Sequence, residues 1–229
     1  MNRDDSPQFD DDVDIEIGPV VVTGHLMVPG SVRGLVIFAH GSGSSRHSRR
    51  NQYVASVLNQ AGLATLLFDL LTTAEERDRS NVFDIDLLAG RLSGVVQWAR
   101  RRHPLGDLPT GYFGASTGAA AALRAAAAPD CDVAAVVSRG GRPDLAGPHL
   151  AAVRAPTLLI VGGDDTVVLG LNREAQAQLT CESELSIVPD ASHLFEEPGA
   201  LQTAAELARE WLVEHLDRGA PAFSRPGRS

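Results

Sequence analysis

The chain reads as an α/β protein with a mainly parallel central sheet covered by helices on both faces. Three observations predict this. Runs such as "GLVIFAH", "LATLLFD" and "APTLLIVG" are apolar along their whole length, as strands buried on both faces must be. Segments with helical spacing separate them, and strand-helix alternation builds parallel sheets. Finally, 229 residues without an internal repeat or linker suit one domain, which at this size buries roughly 70 % of its unfolded surface.

Each element follows from local chemistry. "VDIEI" and "VVVTGHLMV" read as strands, with Pro29-Gly30 as the turn after the second. No helix lies between them, so they are expected as an antiparallel edge pair. "GLVIFAH" is the next strand. A helix over roughly 48–61 follows, with Val54, Val57, Leu58 and Ala61 on one face and Gly62 stopping it. "LATLLFD" is a strand. After a polar loop, "NVFDIDLLAGRLSGVVQWARR" reads as a long amphipathic helix whose Ile85, Leu88, Leu92, Val95 and Val96 share a face. Next come the strand before Ser116, an alanine helix ended by Pro129, and the strand "DVAAVVS". "APTLLIVG", a helix to about Thr180, the strand "ELSIVP" and a helix from about Pro198 to Leu216 complete the domain. The domain is thus expected over 13–217, flanked by a disordered acidic segment at 1–12 and a flexible Pro-, Gly- and Arg-rich tail at 218–229.

Composition narrows the function. The formal net charge is −9, much of it in "MNRDDSPQFDDD". That argues against a nucleic-acid partner, which wants a basic footprint. No run approaches the roughly 18 apolar residues of a membrane span, and the first residues lack the apolar core of a signal peptide. Cys131 and Cys181 are the only cysteines, too few for a disulfide framework. The expectation is a soluble, cytoplasmic protein without membrane partners. Oligomeric state stays open, with a homodimer among the options.

Active sites in parallel sheets lie at the carboxyl ends of the strands. Three reactive groups fall there. Ser116 ends a strand within Gly114-Ala115-Ser116-Thr117-Gly118, a G-x-S-x-G pattern. A sharp strand-to-helix turn strains the serine and exposes its hydroxyl, and the residues two before and two after must be small. From the motif alone, Ser116 reads equally well as a nucleophile or as a helix N-cap. A serine nucleophile needs a base and the base an orienting acid. Gly162-Gly163-Asp164-Asp165 follows one late strand and Asp190-Ala191-Ser192-His193 the last, in the order Ser, Asp, His. Asp165 is favoured over Asp164 because it lies further into the loop. Of seven histidines, only His193 falls in the loop just past the final strand. There is no cluster with metal-ligand spacing, so neither metal nor organic cofactor is expected.

With these residues in place, the chain resembles the α/β-hydrolase superfamily, particularly its small dienelactone-hydrolase-like members. The resemblance covers roughly 13–217 and rests on "FAHGSG", "GASTG", "LLIVGGDD" and "PDASHLF". It implies an α/β-hydrolase fold and a serine hydrolase acting on a small-molecule ester, lactone or thioester through an acyl-enzyme. Family members place an oxyanion-hole N–H after an HG turn. His40-Gly41 matches, which implies the Ser42 N–H as one donor and the Thr117 N–H as the other. Dienelactone hydrolase itself uses a cysteine where this chain has Ser116, so the resemblance implies general serine esterase chemistry.

Two further readings concern specificity and rivals. Arg46, in "SRHSRRN", and Arg139 and Arg142, in "SRGGRPD", are expected to line the pocket and to favour small anionic substrates. Phe83 and Leu71 are candidates for an acyl pocket. Only about sixteen residues separate "AAVVS" from "APTLLIV", so no large cap domain is expected, and "LLTTAEERDRSNVF" is the candidate partial cover. The alternative is a catalytically silent binding or scaffold module on the same fold. A distant third is Rossmann-like nucleotide binding, suggested by Gly41-x-Gly43 with Asp69 ending the next strand; Arg46 stands where its third glycine should be.

Overall fold

The computed structural model describes residues 7–219. Eight strands form one sheet: β1 (Phe9–Ile17), β2 (Val20–Val28), β3 (Gly34–Ala39), β4 (Leu63–Phe68), β5 (Thr110–Ala115), β6 (Ala135–Arg139), β7 (Thr157–Gly162) and β8 (Ser183–Val188). Their order is β1-β2-β4-β3-β5-β6-β7-β8. The six strands from β4 to β8 run parallel, and the β1-β2 hairpin joins β4 antiparallel. β3, β4 and β7 are buried at every position, as their unbroken apolar runs require.

Five helices cover the sheet: α1 (Arg49–Gln60), α2 (Ile85–Arg100), α3 (Thr117–Ala126), α4 (Thr166–Gln176) and α5 (Ala200–Gly219). Leu88, Leu92 and Val95 of α2 and Ala121, Ala122, Ala125 and Ala126 of α3 pack on one face with Ile37 and Leu66. Val54 and Leu58 of α1 and Ala208, Leu212 and Leu216 of α5 pack on the other with Val36, Phe38 and Phe113. The space between β6 and β7 holds only a kinked 310 segment, Pro143–Ala152, so no large cap is present.

Several boundaries differ from expectation. β1 begins at Phe9, so residues 9–12 are strand and not disordered. The carboxylates of Asp10 and Asp12 both meet the His25 ring across the hairpin, at 2.9 and 3.0 Å. Cross-strand pairing of this kind offsets the poor strand preference of aspartate. The long helix starts at Ile85 because Asp84 accepts from the Leu87 N–H, and residues 81–83 form a separate 310 turn. α4 ends at Gln176, four residues before Thr180, and α5 continues to Gly219, past Leu216. The expected termini at 1–6 and 220–229 lie outside the described residues. No described helix is long and apolar enough to cross a membrane.

Candidate active site

The parallel strands end on one edge of the sheet, and the loops that leave β3, β5, β7 and β8 carry His40 to Ser42, Ser116, Asp165 and His193. The order reverses between β3 and β5, which opens a crevice between the loop after β3 and the elbow after β5.

Ser116 sits between β5 and α3 with φ 51° and ψ −121°, a conformation few L-residues adopt. The surroundings enforce it. The Ser116 N–H donates to the Arg139 carbonyl at 3.2 Å, and its own carbonyl accepts from Ala119 and Arg142 at 3.1 Å each. Close packing explains the two motif glycines. A Cβ on Gly118 would lie 2.2 Å from the Ala39 carbonyl oxygen, and one on Gly114 would lie 2.4 Å from Ala119 Cα. Ser116 occupies the N-cap position of α3, yet its side chain makes no capping hydrogen bond. The strain is therefore not spent on capping the helix.

Asp165 behaves in the same way. It stands at the N-cap of α4 without capping it, and its Oδ2 accepts a 2.6 Å hydrogen bond from His193 Nδ1. Its side chain is 15 % exposed and that of His193 38 %, so the imidazole is held from a sheltered side and open on the other. Asp164 is exposed. The two loops pack backbone to backbone: a Cβ on Gly162 would fall 2.2 Å from the Ala191 carbonyl. The His193 loop turns through positive φ at Asp190 and Phe195, 54° and 56°. Phe195 is buried in the core on the α5 side, and the Glu197 carboxylate accepts from the Ser192 N–H at 3.0 Å. That bond holds the Glu197 carboxyl below its usual range. Among the described residues, Ser116 Oγ makes no hydrogen bond, to His193 or to any other group. Nucleophile and base are often loose before substrate arrives.

The turn after β3 is clasped by His40. The Leu70 N–H donates to its Nε2 at 3.1 Å, so the ring proton sits on Nδ1 and is donated to the Gly41 carbonyl at 3.0 Å. Burial pushes His40 below the usual histidine range, consistent with this neutral tautomer. The Ser42 N–H donates to Thr117 Oγ1 at 2.8 Å. Both residues line a cleft of about 800 Å³ whose far wall contains Leu71, Glu76, Arg79 and Phe83. The loop over 72–84 forms that wall. Thr72 and Glu75 make a reciprocal capping box, at 2.8 and 3.2 Å, and Glu75 also meets the buried Arg91 at 2.7 Å. Burial alone would raise the Glu75 carboxyl, but the Thr72 N–H and Arg91 hold it below its usual range.

Of the side chains expected to touch substrate, Phe83 lines the cleft; the three arginines do not. Arg46 pairs with Asp69 and Asp12. Arg142 forks onto Asp144 at 2.9 and 2.8 Å. Arg139 is buried on the α1 side against Asn51, 5.7 Å from the Phe195 ring centre. The pairing of Asp69 with Arg46 also occupies the acid that the nucleotide reading needed. Arg79 and Glu76 were missed as cleft residues, although the Thr72-x-x-Glu75 pattern signals an ordered loop.

The family model described as an alpha/beta hydrolase domain matches residues 32–214. The chain belongs to the α/β-hydrolase family. Within it, a crystal structure of dienelactone hydrolase from Anabaena variabilis is 55 % identical and superposes with a TM-score of 0.88 over 92 % of this chain and 99 % of that one. Est1E from Butyrivibrio proteoclasticus shares the fold, with a TM-score of 0.74 at 16 % identity over 90 % of this chain and 98 % of that one. A Mycobacterium tuberculosis protein named "Putative phosphoribosyl transferase" is 61 % identical over 218 residues, 95 % of this chain. That match covers 49 % of the mycobacterial protein, so the chain spans about half the length of the curated relatives it matches.

Proposed function

We propose that this α/β-hydrolase is a serine hydrolase of small carboxylic esters, lactones or thioesters, working through Ser116, His193 and Asp165. One observation carries the reading: Ser116 and Asp165 both occupy helix N-cap positions and both forgo the cap, and Asp165 instead orients His193. Structural cap residues would make those bonds.

In the proposed mechanism, Asp165 fixes the proton on His193 Nδ1 and leaves Nε2 as the base. His193 takes the Ser116 proton as Oγ attacks the substrate carbonyl. The oxyanion forms beside the turn at Ser42 and the first N–H of α3, that of Thr117, where the helix dipole also favours negative charge. The imidazolium returns its proton to the leaving oxygen, or sulfur for a thioester. Water then repeats the sequence on the acyl-enzyme. The acyl group sits in the cleft under the 72–84 loop, against Leu71 and Phe83. Arg79 and Glu76 set opposite charges on that wall, so neutral esters are accepted as readily as anionic ones. The transferase name attaches to a protein twice as long, and no residue of this site calls for that chemistry.

The test is pre-steady-state hydrolysis of p-nitrophenyl esters. The expected result is a burst of about one nitrophenolate per chain, lost in Ser116→Ala. A folded protein that turns over no activated ester would favour the silent binding module.

A further inference from the structure

The Ser42 N–H, the donor that the family resemblance assigns to the turn after β3, is already engaged by Thr117 Oγ1 at 2.8 Å. That bond has a consequence for the threonine. A hydroxyl that accepts from an N–H keeps its own proton to donate elsewhere. Threonine inside a helix normally gives that proton to the carbonyl three or four residues back. Thr117 is the first residue of α3, so the residues before it belong to the elbow and β5, and among the described residues its hydroxyl accepts from Ser42 and donates to no acceptor. Thr117 is 5 % exposed, yet it borders the cleft beside Ser42 and follows the nucleophile directly.

We propose that the Thr117 hydroxyl is a catalytic donor of the oxyanion hole, with the Ser42 N–H acting through it. This inference rests on the serine-hydrolase reading above. As Ser116 Oγ bonds to the carbonyl carbon, the π pair moves to the carbonyl oxygen and the serine proton passes to His193. The new oxyanion accepts two hydrogen bonds from one residue, the Thr117 N–H and the Thr117 Oγ–H. The Ser42 N–H keeps its bond to Thr117 Oγ1 throughout and polarises the hydroxyl, since hydrogen bonds in a chain strengthen one another. When the acyl-enzyme collapses, the pair returns to the carbonyl and both donors are released. Ser42 is then a positioning residue, and the side chain after the nucleophile, which in an ordinary oxyanion hole lends only its backbone, carries part of the rate.

The two arrangements predict opposite outcomes for Thr117→Val, which keeps the shape and removes the hydroxyl. If the hydroxyl donates to the oxyanion, kcat falls roughly 100-fold or more, the cost of one lost donor, while KM changes little. Thr117→Ser keeps kcat within about threefold of wild type. If the Ser42 N–H is the true donor, Thr117→Val frees it, and kcat stays level or rises. Comparable losses in the valine and serine variants would assign the effect to packing of the turn and overturn the proposal. Melting temperatures of both variants exclude misfolding. An active wild type with an active valine variant refutes this proposal alone, whereas a wild type that hydrolyses no ester refutes the proposed function with it.

Discussion

Replacing Asp165 with asparagine probes the hinge of the proposed mechanism. Asp165 Oδ2 lies 2.6 Å from His193 Nδ1 in a sheltered position, its side chain 15 % exposed. In the transition state the imidazole becomes a cation, with its charge centre roughly 4 Å from the carboxylate. At an effective dielectric of about 20 that attraction is worth about 4 kcal/mol. Its loss corresponds to about a thousandfold in kcat, since 1.36 kcal/mol is tenfold. The amide can also donate to Nδ1 and so favour the wrong tautomer, which adds to the loss; a serine-protease aspartate replaced in this way costs about 10⁴. Stability should hardly move, because Asp165 does not cap α4. The assay is steady-state ester hydrolysis with a thermal melt on the same samples. Asp165→Asn within tenfold of wild type, or Asp164→Asn as damaging as Asp165→Asn, would rule out Asp165 as the residue that orients His193.

Four other outcomes follow from the same geometry. Gly118→Ala places a Cβ 2.2 Å from the Ala39 carbonyl oxygen and should cost about 3 kcal/mol or more of stability, read from urea denaturation. His40 has a folded pKa below its unfolded value of about 6.5, so it contributes stability above that pH and loses it as pH falls; the denaturation midpoint should drop between pH 7.5 and 5.5, and less steeply in His40→Gln. Glu75→Gln removes the ion pair to the buried Arg91 and leaves at best a hydrogen bond to a neutral amide, which should raise KM and speed proteolysis within 72–84 with little effect on kcat. Among the described residues Arg139 is buried without a carboxylate partner, so Arg139→Met should leave the melting temperature unchanged or raise it, and the KM ratio of anionic to neutral esters should stay the same.

Much of this was legible in the sequence, for identifiable reasons. Strands buried on both faces announce themselves as unbroken apolar runs, and β2, β3, β4 and β7 begin and end within two residues of expectation. Gly114 and Gly118 were readable because only glycine tolerates backbone at 2.2–2.4 Å from its Cβ position. The arginines were not. Arg46 is neutralised by Asp69 and Asp12, which are distant in sequence, and a linear reading counts only its neighbours. β1 failed the other way, because Asp10 and Asp12 look disordered until His25 is brought across the hairpin. Which of Asp164 and Asp165 meets His193 is a fact of loop geometry. The Thr117 hydroxyl is invisible for the same reason: its role depends on a turn 75 residues earlier in the chain.

The central claim is that Ser116 is an activated nucleophile. Intact-mass labelling with a fluorophosphonate serine probe tests it most directly, with wild type beside Ser116→Ala and His193→Ala. Wild type should take up a single adduct that is lost in both variants. An unlabelled, folded wild type, or an adduct that survives Ser116→Ala, would contradict it.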